Sequence, residues 1–181
     1  LWKKFDVIGT EMIITKSGRR MFPPLKITLN NLDPDVKYAI LLDVIQVDQY
    51  RYRYHNSRWS STLHPISLAL FPPNNYTTPS LPWLQGKTYV HPDTPSLGSH
   101  WMKRSKQEGS VIFNKVKLTN NFLEETGNIP LQSMHKYIPR IHVYKTFIFQ
   151  ETSFIAVTAY QNERITQLKI DHNPFARGFR D

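Results

Sequence analysis

The sequence contains no cysteine. This excludes a disulfide scaffold and any zinc site built on thiolates, and it suits a reducing compartment. No apolar run approaches the roughly 20 residues needed to cross a bilayer as a helix. The opening Leu1-Trp2-Lys3-Lys4-Phe5 lacks the apolar core of a signal peptide. Because the chain does not begin with Met, it reads as a piece of a longer protein.

Catalytic signatures are missing as well. There is no Gly-x-Ser-x-Gly elbow, no phosphate-cradling glycine-rich loop and no His-Glu-x-x-His. Without cysteine, nucleophilic catalysis would fall to Ser or Thr, and no motif isolates one. His91-Pro92-Asp93 offers acid–base residue types but reads as a turn. His135 and His142 are the closest suggestive metal pair, and Pro139 between them spoils a shared helical face. No cofactor is called for, and the chain is not expected to be an enzyme.

Negative charge is scarce. Lys and Arg number 23 against 14 Asp and Glu, a formal net charge of +9. Such a surplus costs self-repulsion and points to a polyanionic partner. Nucleic acid comes first and an anionic membrane face second. No basic amphipathic helix of membrane type demands the second. A merely solubilising surface is the bland alternative.

What is present reads as strands. At 181 residues one domain is expected, spanning the whole chain. Leu25 to Leu29 alternates apolar with polar, the period of a half-buried strand. Asn30-Asn31-Leu32-Asp33-Pro34 supplies turn residues. Val36 to Val47 reads as a long strand, and further strands are expected at Val111–Leu118, Ile141–Phe149 and Phe154–Tyr160. Tyr50-Arg51-Tyr52-Arg53-Tyr54 alternates strictly, placing tyrosines on one face and arginines on the other. Those tyrosines could instead form a stacking platform for single-stranded nucleic acid. Short runs bounded by turns suggest a sandwich or barrel.

Helical signals are few. Ser96 to Lys106 reads as a short helix, and Asn162 as the cap of one running through Ile165 and Leu168. Asn173-Pro174 reads as a cap followed by proline at the first helical position. Phe175 to Arg180 is too short to form a stable helix alone. Ser60 to Gln85 is proline-rich and aperiodic, and reads as a long surface loop.

Two basic tracts stand out. Gly18-Arg19-Arg20-Met21-Phe22-Pro23 sets two arginines after a glycine turn. Arginine reads guanine bidentately in the major groove, and it is equally common on solvated surfaces. At the end of the chain, Phe175 and Phe179 are four residues apart, so one helical turn puts both rings on one side. Lys169, Arg177 and Arg180 surround them. Apolar rings flanked by cations suit a minor-groove wedge; on the residues alone, a terminal helix docking its two Phe on the core is the preferred reading.

The chain resembles the T-box DNA-binding domain over nearly its whole length. The resemblance is carried by Gly9 to Lys16, Gly18 to Pro23, Tyr89 to Asp93 and Lys115 to Asn121. It continues through Ser133 to His142, Phe154 to Asn162, Ile165 to Ile170 and Asn173 to Ala176. It implies a mainly β, immunoglobulin-like (p53-like) sandwich or barrel with a few short helices, one of them C-terminal. It also implies a nuclear transcription factor that binds double-stranded DNA at T half-sites of the AGGTGTGA kind and regulates RNA polymerase II transcription. A second protomer on palindromic sites and other transcription factors are the further partners it implies; a membrane is not.

Residue by residue, the resemblance gives Arg19 a guanine edge in the major groove, Phe175 and Phe179 the minor groove, and Arg180 a phosphate. Thr158, Tyr160, Gln161 and Asn162 belong to a stretch lying against the DNA backbone. Arg20, Lys136, Arg140, Lys169, Asn173, Pro174 and Arg177 complete the expected DNA-facing set. The chain departs from the family pattern in three places. Ser60 to Thr88 is long, Arg104 to Ser110 looks inserted, and the segment joining Lys145 to Phe147 is short. These departures bear on loop contacts and on how a second copy would sit. Arg177 stands where lysine is usual, and Thr146 to Phe149 leans towards the heart and mesoderm branch rather than Brachyury.

Overall fold

The computed structural model describes residues 1–63, 87–107, 110–123 and 127–179. Most of the expected loop Ser60–Gln85 lies outside the described residues, as do part of the Arg104–Ser110 stretch and Arg180. So do the side chains of Arg177 and Phe179.

The architecture is mainly β, as expected. The largest sheet is built on β1 (Glu11–Ile13), β14 (Phe154–Val157), β12 (His135–His142), β5 (Leu41–His55) and β6 (Arg58–Leu63), in that spatial order. Strand β7 (Tyr89–Val90) pairs with β5, and β13 (Thr146–Ile148) pairs with β12. β1 runs parallel to β14, with Glu11 opposite Ile155. A smaller sheet joins β2 (Arg19–Arg20), β10 (Lys117–Thr119) and β11 (Ile129–Pro130). Two short ribbons pair β3 (Lys26–Ile27) with β9 (Val111–Ile112), and β4 (Lys37–Tyr38) with β8 (Ser96–Leu97).

Alternation explains the central strands. In β12 the odd positions His135, Tyr137, Pro139 and Ile141 are buried, while on the other face Lys136, Arg140 and His142 are half-buried and only Ile138 is buried. β14 is buried at all four positions, which its unbroken apolar run dictates. The core gathers Met12, Ile14, Leu42, Val44, Phe113, Leu118, Tyr137, Ile141 and Phe154 from both sheets.

Among the described residues three α-helices pack with the strands. α1 (Trp2–Ile8) buries Phe5. α2 (Gly98–Gln107) buries Gly98, Trp101 and Ser105 along one stripe. Its first residue must be glycine, because a Cβ there would lie 2.0 Å from the carbonyl oxygen of Asp33. α3 (Glu163–His172) buries Ile165 and Lys169. A 3-10 turn, Pro174–Phe179, follows it.

The structure differs from the sequence reading in element bounds. Val111–Leu118 breaks into two strands at Asn114-Lys115, and Ile141–Phe149 divides into the end of β12, a turn and β13. β14 stops at Val157, so Thr158 to Asn162 is a connecting turn.

Candidate nucleic-acid interface

Arg19 and Arg20 are both exposed on β2, where Arg19 faces Leu118 and Arg20 faces Lys117 across the ladder. The turn before them needs glycine. Gly18 has φ +81°, and a Cβ there would meet the Asn128 side chain at 2.6 Å. Its N–H donates to the carbonyl of Thr15 at 3.1 Å, and the Thr119 hydroxyl donates to the same carbonyl at 2.9 Å. Arg19 therefore projects from a turn fixed at both ends.

The second element is α3 with its flanks. Asn162 caps the helix as its position in the sequence predicts: its Oδ1 accepts from the N–H of Arg164 at 3.0 Å. Glu163 in the first turn and Lys169 and His172 in the last match the helix dipole. The helix stops at Asn173, whose N–H closes on the carbonyl of Lys169 at 2.9 Å. Asn173 then starts the 3-10 turn, accepting the Phe175 N–H on its side chain at 3.1 Å. Pro174 is exposed beside it. Phe175 is 87% exposed. Its ring is not part of the core, contrary to the docked-helix alternative at this position.

Thr158 and Gln161 are exposed, Tyr160 is half-buried and Asn162 is buried. The Gln161 side chain donates to the carbonyl of Ala159 at 2.9 Å, which holds the turn tight. Burial pushes the Tyr160 hydroxyl up to about 12, against the opposing charge of Arg19 and with the help of Glu11. Arg19 and the Thr158–Asn162 turn are thus electrostatic neighbours.

Lys169 is found in the interior rather than among surface cations. It is 5% exposed and donates to the backbone carbonyl of Phe22. Its amine lies 5.2 Å from the Phe5 ring, 5.9 Å from Phe22 and 5.6 Å from Tyr160. Burial lowers its pKa to about 7; Glu11 opposes the shift and Arg19 adds to it.

Arg140 is also engaged. Its Nε and Nη2 donate to the two carboxylate oxygens of Asp43 at 2.9 and 2.5 Å, and His142 Nε2 lies 3.2 Å from the same carboxylate. Burial pushes the Asp43 carboxyl up, but the hydrogen bonds from Arg140 and His142 outweigh it and hold the group below its ordinary value. Lys136 is half-buried on the same face of β12.

Other candidates turn out to be structural. His91 is buried between the rings of Trp101 and Phe113, at 5.2 and 5.7 Å, and closes a turn by accepting from the Thr94 N–H through its carbonyl. His135 and His142 are seven positions apart on one strand and lie on opposite faces. Among the described residues no group of His, Asp and Glu could hold a metal ion. Of the tyrosine run, Tyr52 is tied to Asp48 at 2.6 Å and Tyr54 lies against Trp59 at 5.3 Å. Tyr50 is exposed, and Tyr52 and Tyr54 are half-buried.

One residue of the site went unnoticed in the sequence. Glu11 is 0% exposed, and its carboxylate accepts the N–H groups of Gln161 at 2.8 Å and Asn162 at 3.1 Å, and the indole of Trp59 at 3.2 Å. Desolvation raises its pKa, opposed by these bonds and by Lys169. An acid inside an apolar strand was the available signal.

Comparison with known proteins shows the family of the chain. The chain is 47% identical to T-box transcription factor TBX5-A of Danio rerio, over 99% of this chain and 36% of that protein. It is 46% identical to T-box transcription factor TBX5 of Homo sapiens and of Gallus gallus, over 99% of this chain and 34% of each relative. The chain thus spans about a third of the length of the curated relatives it matches. The T-box family model matches residues 1–181, and the chain belongs to the T-box family.

Proposed function

We propose that the chain is the sequence-specific, double-stranded DNA-binding domain of a nuclear transcription factor that regulates RNA polymerase II transcription, recognising T half-sites of the AGGTGTGA kind. The observation that carries this is Phe175: an aromatic ring 87% exposed, held on a capped turn and connected through α3 to the segment that bears Arg19. An apolar ring in water loses the free energy that burial would return. A minor groove offers that burial to a wedge.

In this reading Arg19 takes a guanine edge in the major groove, with Arg20 beside it. Phe175 and Phe179 enter the minor groove. Lys136, Thr158, Tyr160, Gln161, Asn162, Asn173, Pro174, Arg177 and Arg180 line the backbone and fix the register. Lys169 acts from within, seating the helix, and Arg140 serves the sheet through Asp43. The relatives are named transcription factors, and the net charge of +9 suits a phosphate-rich partner. The domain needs no cofactor and performs no catalysis. Contact with a second protomer on palindromic sites and with other transcription factors belongs to the same reading.

Selection of binders from random duplexes, with competition by single strands, tests it. T half-sites should be enriched, and single strands should compete poorly. Equal binding to single strands, or no enriched sequence, would overturn the reading.

A further inference from the structure

Glu11 is a costly residue. A carboxylate that loses its water is strongly disfavoured unless partners compensate, and an apolar side chain of similar size would be less costly. Here three donors converge on it: two backbone N–H groups from the turn that starts α3, and an indole from the β5–β6 hairpin. The Asn162 side chain is already committed to the Arg164 N–H. The carboxylate therefore satisfies two N–H groups that the cap cannot reach. It joins β1, the hairpin and the helix start at one point.

We propose that Glu11 is a positioning residue for DNA recognition: its carboxylate sets the direction in which α3 delivers Phe175, and so governs minor-groove selectivity. This rests on the DNA-binding reading above. The lever is long. Ile165 and Lys169 seat the ten-residue α3; from their midpoint its C-cap Asn173 lies six residues on, ~9 Å at 1.5 Å per residue, so a tilt of ~10° about these anchors moves that end by about 1.6 Å. A recognition group tolerates about 0.5 Å of misplacement. Lys169 supports the far half of the helix through Phe22 and Met12, and Ile165 is fully buried. The Glu11 contact aims the helix, and the buried face of α3 keeps it folded.

Glu11→Gln tests this. The substitution is isosteric, but it replaces one accepting oxygen with a donor. One of the Gln161 and Asn162 N–H groups is then left facing another donor. The expected result is a folded protein that binds T half-sites about tenfold or more weakly, the scale of one lost charge-assisted bond. The loss should be confined to A·T preference at the minor-groove positions, while preference at the guanine read by Arg19 and the salt dependence stay as in the wild type. Amide exchange at Gln161 and Asn162 should accelerate. A purely structural role would instead lower melting and weaken every duplex alike; that result, or unchanged selectivity, overturns the proposal. Should Glu11→Gln not fold, Glu11→Asp keeps the charge and withdraws it by one methylene, and the same selectivity pattern is read. A wild-type domain that does not distinguish a T half-site from a scrambled duplex overturns the underlying DNA reading, and is seen before any substitution is made.

Discussion

Lys169, in the last turn of α3, donates to the backbone carbonyl of Phe22, three residues beyond Arg19. The bond is made in the interior, with the amine among the rings of Phe5, Phe22 and Tyr160. The helix that leads to Phe175 and the segment that follows Arg19 therefore rest on one support.

That buried amine makes stability depend on pH. Burial lowers its folded pKa from 10.5 to about 7. Between those values the unfolded chain holds a proton that the folded chain does not, so stability rises with pH across this window. Above pH 10 the raised Tyr160 hydroxyl works the opposite way. Chemical denaturation should show a more stable wild type at pH 9 than at pH 7, and Lys169→Met should flatten the difference. A wild type equally stable at both values would contradict the account of Lys169.

Affinity should fall steeply with salt. Each phosphate neutralised contributes about 0.9 to the slope of log affinity against log salt on duplex DNA. The surplus of +9 and the exposed Arg19 and Arg20 imply a slope of several. Titrations at a series of salt concentrations measure it, and a slope near zero would mean that the basic surface does not meet phosphates.

Arg19→Ala should cost roughly 1–3 kcal/mol on the specific site and relax preference at one guanine. Arg19→Lys should rescue only part of this, because lysine lacks the planar fork. Equal weakening on specific and random duplexes would make Arg19 a phosphate contact.

Gly18→Ala tests the turn that presents Arg19. An L-residue at φ +81° pays about 1–2 kcal/mol, and the new Cβ would press on the Asn128 side chain at 2.6 Å. Melting should fall, and specific affinity should fall with it because the strand must shift. A variant that melts and binds as the wild type does would mean that the turn is not constrained.

The β-rich architecture was legible in the sequence because alternation marks the Tyr50–Tyr54 part of β5 and unbroken apolarity marks β14; β12 was not, since its Tyr137-Ile138-Pro139 run is buried throughout and breaks the alternation. The cap Asn162 was legible from its residue type, and Asn173 from its residue type and the following Pro174. α1 was not, since at seven residues it is shorter than the window in which a helical period can be read. The interior places of Lys169 and Glu11 were not legible either. Both residue types are almost always exposed, and only the folded chain brings Phe22, Tyr160 and the Gln161–Asn162 turn around them. The paired state of Arg140 depends on Asp43, 97 residues away, which no local pattern reveals.

The most direct test of a minor-groove role for the terminal turn is melting and DNA binding measured together on Phe175→Ala and Phe179→Ala, with Phe154→Ala as the core reference. Phe154 is 1% exposed and Phe175 is 87% exposed. Phe154→Ala should lower stability by about 3–5 kcal/mol. The two terminal substitutions should leave melting of the free domain nearly unchanged while specific binding falls strongly. A cooperative loss of stability without DNA in the terminal variants, or unchanged binding, would contradict the account.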